Sequence, residues 1–222
     1  MSGPKFLLYE DECNKSEVIA LLFAIAEVPY KTVSCQMPPS KELLQSKTFL
    51  LKSQKSFHLK ISDEQNISEM PLMELPVLEI DGNGISGQLA ICRQLAWRFG
   101  FGGADALQDS IVDMLVEFFY EASIRLNSQE KCKCIKNASV DEDKSDYLDS
   151  EFLPKFVHYL TRIENDYLVG DQLTWADVMA FTFIKQYLLS VIDEEREHND
   201  RYSKIKDYYQ KLAPYFKKYN CV

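Results

Sequence analysis

In the first part of the chain, the pattern of hydrophobic and polar positions changes between the period typical of a strand and the period typical of a helix. Residues 6–9 (FLLY) form a short apolar run that predicts a buried strand. The polar stretch 10–15 follows, and we expect it to be a loop. Ser16 is a candidate N-cap for an apolar helix that ends near Glu27. Residues 30–33 then predict a second short strand.

A hairpin and a helix are predicted between residues 77 and 99. Residues 77–80 (VLEI) read as a strand, and 81–84 (DGNG) is a tight-turn signal. Residues 85–86 resume the extended run. The helix that follows carries apolar residues at helical spacing: Leu89, Ile91, Cys92, Leu95 and Ala96. The order β-α-β-x-β-β-α fits a small mixed sheet with helices packed on it.

The segment 34–70 interrupts this pattern. It is too long to be a plain loop in a compact domain. Residues 40–52 and 62–69 have helical character, so we expect an insertion of one or two short helices with a surface excursion.

Glycines cluster in 99–103 (FGFGG), where the periodicity stops, which predicts a boundary between domains 1–101 and 104–222. Beyond it the pattern is helical. The predicted helices cover residues 111–122, 148–167, 178–189, 202–212 and 214–219. Residues 127–144 are predicted to be either the frayed end of the first of these helices or a loop. Thr174 and Asp177 form a capping box before the third of these, whose nearly all-apolar sequence predicts burial on every side. The second domain is therefore predicted to be all-α.

Composition narrows the class of protein. The 222 residues are 46% hydrophobic with a net charge of −9, which predicts a sizeable core and disfavours nucleic-acid and anionic-membrane partners. Neither a membrane-spanning run nor a signal peptide is recognisable, so we expect a cytoplasmic protein. The six cysteines contain no CxxC and no zinc spacing, so we expect free thiols and no metal.

Three sequence motifs resemble those of the cytosolic glutathione transferases. LPVLEIDG followed by AICRQLA is similar to the family's glutathione-site hairpin and helix, and YLVGDQLTWADV is similar to its capping-box helix. LLYEDECNKSEVIALLFAIAEVPY resembles the opening of the sigma class, which includes glutathione-dependent prostaglandin D synthases and squid lens crystallins. The resemblance implies a thioredoxin-like α/β N-terminal domain, an all-α C-terminal domain, and glutathione as co-substrate.

The resemblance also implies roles for particular residues. Tyr9 matches the tyrosine whose hydroxyl stabilises the glutathione thiolate by a charge-assisted hydrogen bond. Leu75 and Pro76 match a cis X-Pro pair that presents backbone groups to the tripeptide. Since only about 5–6% of X-Pro bonds are cis, the sequence by itself favours trans, whereas the resemblance predicts cis.

The start of the following helix departs from the family pattern. Gly87 and Gln88 stand where Gln-Ser usually binds the γ-glutamyl carboxylate at a helix N-terminus. Glu74 adds a negative charge nearby. Lys15 stands near the position of the family's loop arginine. It keeps the positive charge but lacks the planar guanidinium group with its fork of hydrogen-bond donors. The Trp and Lys that bind the glycine carboxylate would fall in 34–70, which contains no Trp and offers Lys41, Lys47, Lys52, Lys55 and Lys60.

Asp113 and Glu117 lie one turn apart on the first helix of the second domain. In the sigma class an acid at the Glu117 position reaches the ligand of the other subunit, which implies a homodimer; the alternative is a solvated acidic face. Two functions follow. The first is an enzyme in which a Tyr9-activated thiolate attacks an apolar electrophile, or assists an isomerisation, in a cleft against 111–122 and the C-terminal helices. The second is a non-catalytic structural or apolar-ligand-binding dimer with weak or lost glutathione binding.

Overall fold

A computed structural model of the chain describes residues 4–11, 16–35, 72, 75–131, 146–189 and 200–218. The chain forms two compact units, one of residues 1–23 with 27–92 and one of residues 24–26 with 93–222. The predicted domain limits at 101 and 104 stay a prediction. The expected insertion lies almost wholly outside the described residues.

The first unit is built on a four-stranded mixed sheet. Its strands are β1 (Phe6–Asp11), β2 (Lys31–Cys35), β3 (Val77–Ile80) and β4 (Asn83–Ser86), in the order β2-β1-β3-β4. β1 runs parallel to β2 and antiparallel to β3, and β4 is antiparallel to β3. The predicted small mixed sheet is therefore confirmed.

The prediction of a loop from residue 10 was wrong for its first two residues. Glu10 and Asp11 continue β1, where they pair with Ser34 and Cys35 of β2. Polarity suggested a loop, but the backbone hydrogen bonds to β2 extend the strand past its apolar part.

The hairpin between β3 and β4 turns over two residues, Asp81 and Gly82, rather than over four. Both have positive φ, 51° and 88°, as a type I′ turn requires, and its twist matches that of the flanking strands. Asn83 and Gly84 therefore belong to β4, where they pair with Ile80 and Glu79.

Two helices, α1 (Glu17–Ile25) and α2 (Gln88–Phe99), follow β1 and β4 respectively. The predicted N-cap of α1 is confirmed, because the Ser16 hydroxyl accepts the Ile19 N–H at 3.4 Å. α2 begins at Gln88, in agreement with the helix start predicted at Gly87 and Gln88, and is divided between the two units after Cys92.

In the part that the structure describes, the regular secondary structure of the second unit is all helical, with a loop at 161–174. It contains α3 (Ala106–Lys131), α4 (Leu153–Leu160), α5 (Trp175–Phe183) and α6 (Asp200–Lys217). A π-helical turn, Leu148–Phe152, leads into α4, and a second, Ile184–Leu188, extends α5. Pro154 lies in the first turn of α4, where a proline is tolerated. No helix among the described residues is long and apolar enough to cross a membrane.

Two predicted helix limits were wrong. The helix expected to reach residue 167 ends at Leu160, and the polar loop that follows contains exposed Asn165 and Asp166. Pro214 was expected to separate two helices, but α6 continues through it. A proline leaves the carbonyl four residues earlier without its donor. That residue is Gln210, which lies at an exposed position of α6.

The core of the helical unit surrounds α5, of which every residue from Trp175 to Phe183 is buried, as predicted. The predicted capping box is present. The Asp177 carboxylate, which is fully buried, accepts four hydrogen bonds: from the N–H of Leu168 and Thr174, from the Thr174 hydroxyl, and from the Tyr208 hydroxyl of α6, at 2.7–2.9 Å. Burial raises the pKa of Asp177, and these donors act in the opposite direction.

Candidate functional site

The peptide bond between Leu75 and Pro76, at the entrance to β3, is cis, as the resemblance implied. The Pro76 carbonyl accepts the N–H of Gly87 at 3.0 Å, which joins the start of β3 to the end of β4. Leu75 packs against a small buried cluster of Tyr9, Cys35 and Val77. The cis bond therefore adjoins the side chain expected to act on the thiol.

Strand register places four residues in one row across the sheet. Val33, Tyr9, Val77 and Ser86 pair in turn from β2 to β4. Paired residues on neighbouring strands point to the same face of a sheet. Tyr9 and Ser86 therefore lie on the same face, with Val77 between them.

The Tyr9 side chain is 7% exposed, and its hydroxyl donates to the Oε2 atom of Glu79 at 3.1 Å. Glu79 pairs with Leu7 rather than with Tyr9, so the contact is diagonal across β1 and β3. Burial, followed by the Glu79 charge and hydrogen bond, raises the pKa of Tyr9 to about 12. The phenol is therefore neutral at physiological pH and has one proton to donate.

Cys35 lies at the edge of the same cluster and is fully buried. Burial, with a smaller contribution from Asp11, raises the pKa of its thiol. A thiol in this state is a poor nucleophile. Cys35 therefore serves as packing for Tyr9 rather than as a reactive group.

The start of α2 supplies the second part of the candidate site. Gly87 has φ +92° and open space where a side chain would begin. Gln88 is the first residue of the helix, and the first turn of α2 contains no acidic residue. The free N–H groups of such a turn favour an anion.

Ser86, directly before this turn, carries the only buried side-chain N or O atom without a hydrogen-bond partner among the described residues. The oxygen itself is shielded from solvent, although the residue as a whole is only partly buried. Buried polar atoms are nearly always paired, so an unpaired one requires an explanation. The sequence pattern pointed to Gly87 and Gln88 in place of the family's Gln-Ser and gave no signal for Ser86.

Glu79 was also missed. The alternation of VLEI places Glu79 and Val77 on one face, but the sequence does not give the register between β3 and β1. Only that register brings the Glu79 carboxylate to Tyr9. A prediction that residues 6–11 and 77–80 pair as neighbouring strands would have identified Glu79 as a neighbour of Tyr9.

The two acidic residues on α3 differ in their surroundings. Asp113 accepts from Nε of Arg93 through both carboxylate oxygens, at 3.0 and 3.1 Å, and each side chain is about one-third exposed. Glu117 is exposed. Asp113 is therefore held within its own chain, and Glu117 is the freer candidate for contact with another subunit.

Several expected site residues lie outside the described residues: Lys15, Glu74 and the five lysines of 34–70. Within the described ranges, no group of three or more His, Cys, Asp or Glu side chains is arranged to hold a metal ion.

Comparison with known proteins finds similarity to glutathione transferases. The family model described as "Glutathione S-transferase, C-terminal domain" matches residues 131–219. Glutathione S-transferase 4 of Caenorhabditis elegans is 26% identical over an alignment 216 positions long, which covers 93% of this chain and 89% of that protein. S-crystallin 2 of Enteroctopus dofleini is 24% identical over an alignment 240 positions long, which covers 97% of each chain.

Solved structures share the fold at lower identity. A Nu-class glutathione transferase from Haemonchus contortus matches with a TM-score of 0.67 at 20% identity over 98% of both chains. Monomeric Na-GST-3 from Necator americanus gives 0.63 at 23%, covering 96% of this chain and 95% of that one. Prostaglandin synthase D of Nilaparvata lugens gives 0.63 at 16% over 96% of both. The first unit is thus thioredoxin-like and the second has the family's helical fold.

Proposed function

Since this chain is a divergent member of the cytosolic glutathione transferase family, we propose that it is a glutathione-dependent enzyme related to the sigma class. In this proposal it binds glutathione on the first unit and activates the thiol through Tyr9. The thiolate attacks a small apolar electrophile or assists an isomerisation. A cytoplasmic location is part of the proposal.

The observation that carries the proposal is the placement of three features around one hairpin. The cis Leu75–Pro76 bond opens β3, Tyr9 lies beside it on β1, and the free turn of α2 begins at Gln88. An extended tripeptide needs backbone partners along its length and an anion site at its carboxylate end. This hairpin offers both near one phenol.

Tyr9 supports thiol activation by remaining a donor. Its raised pKa, about 12, keeps the phenol protonated over the working pH range. A neutral O–H that donates to sulfur stabilises the thiolate relative to the thiol and lowers the pKa of the thiol. The proton released from sulfur passes to solvent, so Tyr9 changes hydrogen-bond partner without changing charge.

The carboxylate anchor in this proposal differs from the family's usual one. Gln88 and the N–H groups of α2 attract the γ-glutamyl carboxylate, with Gly87 leaving room for its approach. We add Ser86 to this anchor, because its buried hydroxyl has no protein partner in the described structure. A ligand oxygen would satisfy it.

A homodimer is the third part of the proposal. One face of α3 exposes large apolar side chains at heptad-like spacing: Leu107, Met114 and Ile124, with exposed fractions of 71%, 52% and 52%. Exposed Glu117 lies on the same face. These three side chains leave apolar surface exposed on α3, and exposed apolar surface favours contact with a partner.

Immobilised glutathione and a chromogenic aryl halide test the function together. The wild-type protein should be retained and should conjugate the halide. Tyr9→Phe should be retained but should be about ten- to a hundredfold slower at neutral pH, because the thiol loses the group that lowers its pKa by one or two units. If the wild-type protein is not retained and shows no conjugation, a non-catalytic role for the fold replaces this proposal.

A further inference from the structure

The Tyr9 hydroxyl has one proton, which is already engaged. It donates to the Oε2 atom of the Glu79 carboxylate at 3.1 Å. Thiol activation needs the same proton to point at sulfur. The carboxylate and the thiolate are thus alternative acceptors for one donor.

Other charged groups on this face are weaker partners for Tyr9. Cys35, on β2, is the smallest of the causes that raise the pKa of Tyr9. Asp11 contributes to the raised pKa of Cys35 and is not among the causes for Tyr9. Lys31 pairs with Leu7, which in turn pairs with Glu79, and the Lys31 side chain is exposed. Glu79 is therefore the principal charge that Tyr9 meets among the described residues.

We propose that Glu79 is a positioning residue that restrains Tyr9 and competes with the bound glutathione sulfur for its proton, which limits thiol activation near neutral pH. The inference rests on the proposed function. On activation, the thiol proton passes to solvent and the Tyr9 O–H rotates from Glu79 to the sulfur. Glu79 is left with water as its hydrogen-bond donor, and no covalent bond other than S–H is broken.

Two physical effects act in the same direction. A hydrogen bond to a charged acceptor is about twice as strong as one to a neutral acceptor, so the carboxylate holds the phenol more firmly than an amide would. The carboxylate also repels a second negative charge placed beside Tyr9. Both effects raise the pKa of the bound thiol above the value that Tyr9 by itself would produce.

The test is Glu79→Gln, which keeps the size and the acceptor oxygen but removes the charge. The rate of aryl halide conjugation and the thiolate absorbance of bound glutathione are measured from pH 5 to 9. We expect the variant to be about three- to tenfold faster at the acidic end. The two rates should converge at the alkaline end, where the thiol is ionised in both proteins.

Three comparisons isolate the effect. Glu164→Gln, at an exposed position, should follow the wild-type profile. In a Tyr9→Phe background, Glu79→Gln should lose most of its effect, because the contested proton is absent. In the ligand-free protein, the Tyr9 resonance, observed with a carbon-13 label at Cζ, should titrate at lower pH in Glu79→Gln than in wild type.

A Glu79→Gln profile that coincides with wild type, or that differs by the same factor at every pH, overturns the inference while the proposed function stands. A slower variant with a more alkaline profile also overturns it, since Glu79 would then assist the thiol. Absence of conjugation by wild type at every pH removes the proposed function and the inference with it, even if the Tyr9 resonance shifts.

Discussion

Replacement of Ser86 by alanine separates a binding role from a structural one. The hydroxyl oxygen of Ser86 is buried and lacks a partner within the described structure. Ser86→Ala removes that oxygen alone and leaves the β4 backbone and its pairing with Val77 in place.

The expected magnitudes follow from this environment. A buried polar group without a partner costs about 1–3 kcal/mol, and part of the gain from removing it is offset by lost packing. We therefore expect the ligand-free variant to be about 1 kcal/mol more stable, a rise in Tm of about 2–4 °C for a chain of this size. A hydrogen bond to a carboxylate contributes about 1.5–3 kcal/mol, so glutathione should bind about ten- to a hundredfold more weakly.

Urea denaturation of the ligand-free protein gives the first quantity, and titration calorimetry with glutathione gives the second. Ser123→Ala is the matched control, because the Ser123 hydroxyl donates to the Phe119 carbonyl at 2.9 Å within α3. That variant should lose stability and keep its affinity. A less stable Ser86→Ala protein would mean that the hydroxyl has a structural partner, and an unchanged affinity would remove Ser86 from the site.

Four further outcomes are expected. Asp177→Asn should lower the unfolding free energy by about 3–5 kcal/mol, measured by urea denaturation, because an amide turns two N–H groups toward buried donors. Since the pKa of Tyr9 is raised from 10.0 to about 12, its contribution to stability is complete below pH 10 and is lost as pH rises to about 12. When the unfolding free energy is measured at a series of alkaline pH values, the Tyr9→Phe protein should lack this loss of stability. Arg125 and Glu151 form an ion pair that is about half exposed. Its coupling energy, measured by a double-mutant cycle that removes each charge singly and both together, should be less than about 1 kcal/mol. Met114→Lys should shift the proposed dimer to monomer in sedimentation equilibrium.

Local patterns in the sequence predicted most elements of both units. The alternation in VLEI and the Asp-Gly signal located the hairpin, and Ser16 and Thr174 marked helix starts that the structure confirms. Each of these signals is contained within a few neighbouring residues. The cis state of Leu75–Pro76 came instead from the resemblance, because dipeptide composition by itself favours trans.

Predictions that depended on distant partners were less successful. The extension of β1 to Asp11 depends on pairing with Cys35 of β2, which the polarity of the segment does not reveal. The two π-helical turns were not predicted, because a single wide turn changes the hydrophobic period too little to be seen.

The candidate site shows the same division between local and distant information. Tyr9, Gly87 and Gln88 could be proposed from aligned motifs, whereas the contact between Tyr9 and Glu79 requires the register of two strands. The unpaired state of Ser86 requires knowledge of every neighbour of one oxygen. Such information exists only in the folded arrangement.

The four hydrogen bonds to Asp177 set a limit on how the helical unit can be shortened. Its carboxylate draws donors from the loop at Leu168, from Thr174, and from Tyr208 near the end of the chain. A fragment that stops before Tyr208 would keep the buried anion and lose a hydroxyl that helps to stabilise it. Proteolytic or recombinant fragments of this unit should therefore be soluble and cooperative in unfolding only when they extend beyond residue 208.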